Sequence, residues 1–159
     1  MKNKGMLLEK IINKTIDFYW KNKIAYIEKK QIPIKFVDIT KNGEKKNVSK
    51  AYLSGKSTVD YIGCYKGIFV CFEAKTCNED NFYLANIQKH QLEYLRIIKQ
   101  SGGESFIVLF FSHNNTFWKV GLEFIEKAIK EGKKHISYND VKSNCLYLEL
   151  EFPGLLSFL

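Results

Sequence analysis

Proline is scarce here, with two in 159 residues, and no tract is rich in glycine or proline. That excludes collagen-like repeats and long flexible linkers, while 45% hydrophobic and 26% charged residues match a folded globular chain. The four cysteines, Cys64, Cys71, Cys77 and Cys145, form no CxxC pair, which argues against a structural zinc site or a disulfide framework. There is no apolar leader with a cleavage signal, and no run of about twenty apolar residues that would span a bilayer. The cytoplasm is therefore the expected compartment. Acidic residues are also in deficit: 25 Lys and Arg face 17 Asp and Glu, a net charge of +8. An excess of this size favours a polyanionic partner, nucleic acid first, although a lysine-rich solubilising surface has the same composition.

The length suits one domain, residues 1–159, with a real core. Leu7, Leu8, Ile11, Ile12 and Tyr19 recur at helical spacing and predict an opening helix over 6–20. Short strands are expected at 24–28 and 32–37, with Pro33 marking an edge or bend. Residues 41–50 hold Lys41, Lys45, Lys46 and Lys50, a turn signal at Asn42-Gly43 and almost nothing to bury. Flanked by β-prone stretches 36–40 and 48–53, this segment reads as a hairpin leaving the body of the domain, a stalk over 38–54. Strands 58–62 and 68–75, joined through the glycines of 63–67, form the hairpin at the chemical centre. A polar loop, a helix over 86–100 closed by Gly102-Gly103, and a buried strand at 105–111 follow. A strand at 116–120, a helix over 122–131 and a strand at 145–152 complete a mixed α/β domain.

Chemistry concentrates in Asp60 and in Glu73-Ala74-Lys75. On a strand Glu73 and Lys75 share one face, and a hairpin brings Asp60 beside them. Two converging carboxylates make a hard oxygen site that suits Mg²⁺, with Mn²⁺ as an alternative, and an ammonium nearby stabilises developing charge or orients the attacking water. The same trio also reads as an exposed cross-strand ion-pair cluster. The run Phe69-Val70-Cys71-Phe72 ahead of Glu73 predicts burial, and a buried charge needs a partner or a metal. Thr58, two residues before Asp60 on an expected strand, offers a hydroxyl to a phosphate or a water, or serves β-propensity alone. His90 lacks Cys or His neighbours at ligand spacing and is not read as a zinc ligand.

Asp60 followed by Glu73-x-Lys75 resembles the core motif of the restriction-endonuclease-like nucleases. More specifically, Gly5-Met6-Leu7-Leu8-Glu9, Ala51-Tyr52, Ser57-Thr58-Val59-Asp60-Tyr61, Gly63, Tyr65-Lys66-Gly67, Phe72-Glu73-Ala74-Lys75 and His90-Gln91 resemble, in this order, the RecU-type Holliday-junction resolvases. The resemblance covers residues 5 to about 111. It implies a restriction-endonuclease-like mixed sheet flanked by helices, with a projecting hairpin stalk. It also implies that Asp60 and Glu73 bind the metal, that Lys75 acts on the nucleophilic water, and that Gln91 supports the metal or its water. Glu9 matches an early acidic position with an outer role, and Val59 stands where a second threonine is usual. The stalk position implies phosphate contacts by Lys41, Lys45, Lys46, Lys50 and Lys56, with Lys66 as a further basic contact. The expected activity is Mg²⁺-dependent hydrolysis of opposed strands of a four-way DNA junction by a homodimer, in recombination and repair. A recombinase or a branch-migration motor is the kind of protein partner implied.

Rival readings are a related nuclease acting on flaps, ends or foreign duplexes, and a noncatalytic DNA-binding recombination accessory. An RNA-binding module is weaker, since no aromatic signature of single-strand readers is present. Leu155, Leu156, Phe158 and Leu159 are too apolar for a free tail and are expected in a dimer interface, unless they fold back on their own subunit.

Overall fold

The computed structural model describes residues 4–31, 33–42, 45–53, 55 and 58–159, with backbone alone for 4, 38–42, 45–49 and 53. Helix α1 (Lys4–Lys21) opens the chain and leads through a short turn into β1 (Tyr26–Lys29). Strands β2 (Ile34–Asn42) and β3 (Lys45–Leu53) pair antiparallel in a ribbon of their own, with register shifts around Asp38. Ile34, Phe36, Val37 and Tyr52 are exposed on that ribbon.

The body is a six-stranded sheet in the order β1-β4-β5-β7-β8-β10. Its strands are β4 (Tyr61–Tyr65), β5 (Ile68–Cys77), β7 (Glu104–Phe111), β8 (Thr116–Gly121) and β10 (Leu146–Leu148), with β1 at one edge. A small pair, β6 (Asn81–Tyr83) with β9 (His135–Ser137), lies outside it. Neighbours run antiparallel apart from β5 and β7, which are parallel and are joined by the crossover helix α2 (Lys89–Gln100). Helix α3 (Leu122–Lys130) and the short α4 (Tyr138–Asn144) complete the helices. No helix among the described residues is long and apolar enough to cross a membrane.

Strand β7 explains the layering. Its residues are buried on both faces: Phe106, Val108 and Phe110 enter one core, and Ile107, Leu109 and Phe111 the other. The first core is covered by Leu8 and Ile12 of α1 and by Leu156 and Phe158 near the C-terminal end. The second is covered by Leu95 of α2 and by Leu122 and Ile125 of α3. Alternation along β5 follows the same rule: Val70 and Phe72 enter the α1 core, so Glu73 and Lys75 share the α2 side with Cys71.

The sequence expectations need several corrections. The chemical hairpin starts later than 58–62: residues 58–60 precede β4, and the turn is the two-residue Lys66-Gly67, both with positive φ (49° and 80°). Gly63 lies inside β4 because β1 passes so close that a Cβ would sit 2.1 Å from the Tyr26 carbonyl oxygen. The expected helix over 86–100 begins at Lys89, after a 3-10 turn at Leu84–Asn86. The strand expected at 145–152 breaks into β10 and a two-residue piece, β11 (Leu150–Glu151), which pairs with β12 (Leu155–Leu156). The apolar tail folds back on its own subunit. Leu156 and Phe158 are 0% and 1% exposed, the Phe158 ring lies 4.9 Å from that of Phe72, and the Leu156 amide donates to Thr15 Oγ1 at 2.9 Å. These two side chains are already buried within one chain and so are unavailable to a partner.

Candidate active site

Asp60 ends the loop leading into β4, and Glu73 and Lys75 lie on the neighbouring β5. The two carboxylates are cross-linked through backbone. Asp60 N–H donates to Glu73 Oε2 at 3.1 Å, and Ala74 N–H donates to Asp60 Oδ2 at 3.0 Å. Each acid is thus held by a backbone amide at or next to the other.

Glu73 Oε1 faces the opposite way, toward Lys75 Nζ at 3.1 Å and the Gln91 side-chain amide, which donates to it. Glu73 is only 2% exposed. Burial, and then the charge of Asp60, push its carboxyl up to about 7, while the Lys75 ammonium pulls the other way. An acid this strongly desolvated beside a second acid has an unmet demand for positive charge.

Gln91 reaches the site from the first turn of α2. Gln88 caps that helix, and the Gln91 side-chain oxygen accepts the Gln88 backbone N–H at 2.9 Å, a capping box. The same oxygen accepts from Lys75 Nζ at 3.3 Å. The oxygen of Gln91 is thus engaged twice and its nitrogen is turned to Glu73.

The remaining predicted positions are distributed differently. Thr58 does not sit on a strand beside Asp60; it lies in the preceding loop, where its hydroxyl accepts from Lys30 Nζ at 2.8 Å. Val59, in place of a second hydroxyl, is buried in the α2-side core. Glu9 stays outside the carboxylate network and pairs with Lys29 at 2.6 Å. Lys50 and Lys66 are exposed, and Lys66 lies over the Tyr65 ring. Lys41 and Lys46 are cross-strand neighbours on the ribbon, next to the Asn42–Lys45 pair, and Lys56 lies outside the described residues. Sequence reasoning missed Gln88, although Gln-x-x-Gln at a helix start is a capping signal, and it missed Lys30 and Tyr94, which nothing in a lysine-rich sequence singles out.

Among the described residues no three His, Cys, Asp or Glu side chains cluster as metal ligands. What the site offers is two carboxylates, one of them buried and short of positive charge. That donor set fits a hard divalent cation that keeps most of its water, and does not fit a closed zinc cage.

The family model described as Recombination protein U, RecU, matches residues 3–159. Among curated relatives, the "Holliday junction resolvase RecU" of Mycoplasmopsis pulmonis is 42% identical over 158 residues, covering 99% of this chain and 92% of the relative. The protein of the same name in Ureaplasma parvum is 34% identical, with 99% and 90% covered, and that of Bacillus subtilis 31%, with 99% and 78%. Among solved structures, Archaeoglobus fulgidus Hjc, described as a Holliday junction resolvase from an archaeal hyperthermophile, superposes with a TM-score of 0.52 at 13% identity, covering 87% of this chain and 94% of Hjc. That likeness establishes the shared fold: a mixed sheet flanked by helices, of the restriction-endonuclease-like kind. A family match from residue 3 to residue 159, with relatives 31–42% identical along nearly the whole chain, shows that this protein belongs to the RecU family.

Proposed function

We propose that this protein is an endodeoxyribonuclease that resolves four-way DNA junctions, with Asp60, Glu73 and Lys75 as its chemical centre. The observation that carries the assignment of the centre is the interlocked Asp60–Glu73 carboxylate pair with Lys75 on the same acid, in a chain whose RecU relatives are named as junction resolvases. Asp60 and Glu73 would hold a divalent cation, Mg²⁺ in the preferred reading and Mn²⁺ as the alternative. When bound, such a cation supplies Lewis-acid stabilisation of the phosphate and makes a nearby water more acidic.

The chain's own residues do the rest. The backbone amides of Asp60 and Ala74 keep the acids from rotating away, so the donors are set before substrate arrives. Gln91 fixes Glu73 Oε1 and leaves Lys75 tethered at one edge of the pair. The Lys75 ammonium orients the water that attacks phosphorus and offsets the negative charge that builds on the phosphate oxygens. Glu9, paired to Lys29, keeps an outer role away from the carboxylate pair.

A four-way junction needs two symmetric cuts, and one site per chain makes one. A two-fold homodimer supplies the second copy in the opposite orientation. The ribbon of β2 and β3, over 38–54 of the single domain, is the stalk that enters the open junction centre, and Lys41, Lys45, Lys46, Lys50 and Lys56 bind phosphates there, with Lys66 on the body. Action on DNA in the cytoplasm, alongside a recombinase or branch-migration motor, completes the reading. Cleavage of a labelled synthetic four-way junction and of a matched linear duplex, with and without Mg²⁺, tests it. Paired nicks on the junction alone are the expected result; equal cutting of both substrates would make the protein a general nuclease, and binding without any cutting a recombination accessory.

A further inference from the structure

Beside the carboxylates the structure builds a second polar cluster. Lys30 follows directly on β1, and its backbone N–H donates to the Asp60 carbonyl at 2.7 Å, which ties it to the loop that carries that acid. Its ammonium donates to Thr58 Oγ1 at 2.8 Å and stands 5.7 Å from the centre of the Tyr94 ring. Tyr94 stands on α2, so the ring contact ties Lys30 to that helix as well. All three side chains are half-buried.

This lysine is placed unlike its neighbours. Lys29 is neutralised by Glu9, Lys75 by Glu73 and Lys99 by Glu123. Among the described residues no carboxylate lies within ion-pairing distance of Lys30 Nζ, which is held by a neutral hydroxyl and a ring face. An ammonium has three N–H donors, and Thr58 takes one. A positive charge partly withdrawn from water, positioned on two sides and lacking a counter-ion, is a receptor for an anion, since charge-assisted bonds to phosphate oxygens are the strong ones.

We propose that Lys30, held by Thr58 and Tyr94, binds a backbone phosphate of the DNA strand that lies across Asp60 and Glu73. The proposal rests on the nuclease reading for the identity of the anion. The distance along the chain is short: Thr58 is two residues from Asp60, and Lys30 is bonded to Asp60 itself, so a phosphate on Lys30 fixes the strand relative to the acids. Lys30 is thus a substrate-contacting residue that sets where the strand lies, while Thr58 and Tyr94 are positioning residues acting through it.

The test uses equilibrium binding and cleavage on the full chain. In an Asp60→Asn background, which isolates binding from cutting, junction affinity is measured across a series of salt concentrations for Lys30, Lys30→Met and Lys30→Arg. Removal of one phosphate contact should lower the slope of log affinity against log salt by about one, and arginine should restore it. In the otherwise native chain, Lys30→Met should raise KM about tenfold or more with a smaller effect on kcat, and Tyr94→Leu should do the same more weakly. Melting temperatures should match the parent. An unchanged salt slope overturns the proposal, as does a loss that arginine does not rescue and that follows a fall in melting temperature. Failure of the nuclease reading is separable, because it shows as absent cutting by the native chain with metal, whereas the salt slope is read without any cutting.

Discussion

Asp60 and Glu73 hold one another indirectly. The amide of Asp60 binds the Glu73 carboxylate, and the amide beside Glu73, that of Ala74, binds the Asp60 carboxylate. In both bonds the donor is a backbone amide, which a change of side-chain charge does not remove. Asp60→Asn and Glu73→Gln are therefore expected to leave the fold and junction binding intact while lowering cleavage by about a hundredfold or more. Lys75→Ala should fall in the same range. Turnover near the native rate in either acid variant, measured under single-turnover conditions, removes the proposed centre.

The weakened acidity of Glu73 has a sign that stability measurements can read. In the metal-free folded protein Glu73 keeps its proton up to about 7, whereas the unfolded chain releases it near 4.5. Between these values the folded state binds more protons, so this group makes stability fall as pH rises. The effect is on the order of 3 kcal/mol. Denaturant unfolding in EDTA across that window, native against Glu73→Gln, should show the slope in the native chain and its loss in the variant. Parallel curves would contradict the assignment.

The same proton competes with a divalent cation. The metal-induced rise in melting temperature should consequently grow with pH up to about 7 and then level off, and cleavage should follow it. A metal response equal at acid and neutral pH would show that Glu73 is not a ligand.

Gln91 serves both helix and site. Gln91→Ala should cost about 1 kcal/mol of stability through the lost capping box, and reduce cleavage by about tenfold through a loosened Glu73. Gln91→Glu keeps a capping acceptor but faces Glu73 with a like charge, so it should be the worse variant for cleavage and the better one for helix α2. Equal activity of the two would separate Gln91 from Glu73.

Neutralising Lys41, Lys45 and Lys46 together should weaken junction binding more than duplex binding and flatten its salt dependence. Equal losses on both would reduce the ribbon to a general phosphate contact. For the dimer, sedimentation equilibrium at micromolar protein is expected to give twice the chain mass, and Phe158→Ala should destabilise the subunit by about 3–5 kcal/mol rather than dissociate it, because Phe158 packs inside its own chain.

Much of this was legible from residue order. The spacing of Asp60, Glu73 and Lys75 located the carboxylate pair, and the apolar run before Glu73 foretold its burial. What escaped notice depended on contacts between distant segments. Thr58 reads as a strand residue by propensity, yet it lies in a loop where it meets Lys30 from a distant segment, and the approach of β1 to Gly63 carries no local signature. The tail posed the opposite difficulty: its apolarity was plain, but only the space above Phe72 decided that the same subunit would receive it. Helix α4 and strand β9 were missed because seven- and three-residue elements show too little periodicity to read.

The Phe158 ring against Phe72 also bears on timing. Residues 58–91 bring together every side chain of the proposed centre, a compact stretch that emerges early in synthesis. Yet Phe72, adjacent to Glu73, has its underside covered by a ring that is made much later. Helix α1 already covers part of that face through Leu8 and Ile12, and Phe158 closes what α1 leaves over Phe72. The floor beneath the acids is therefore assembled from two segments far apart in the chain, α1 and the apolar tail, so a defect in either reaches Glu73 through Phe72.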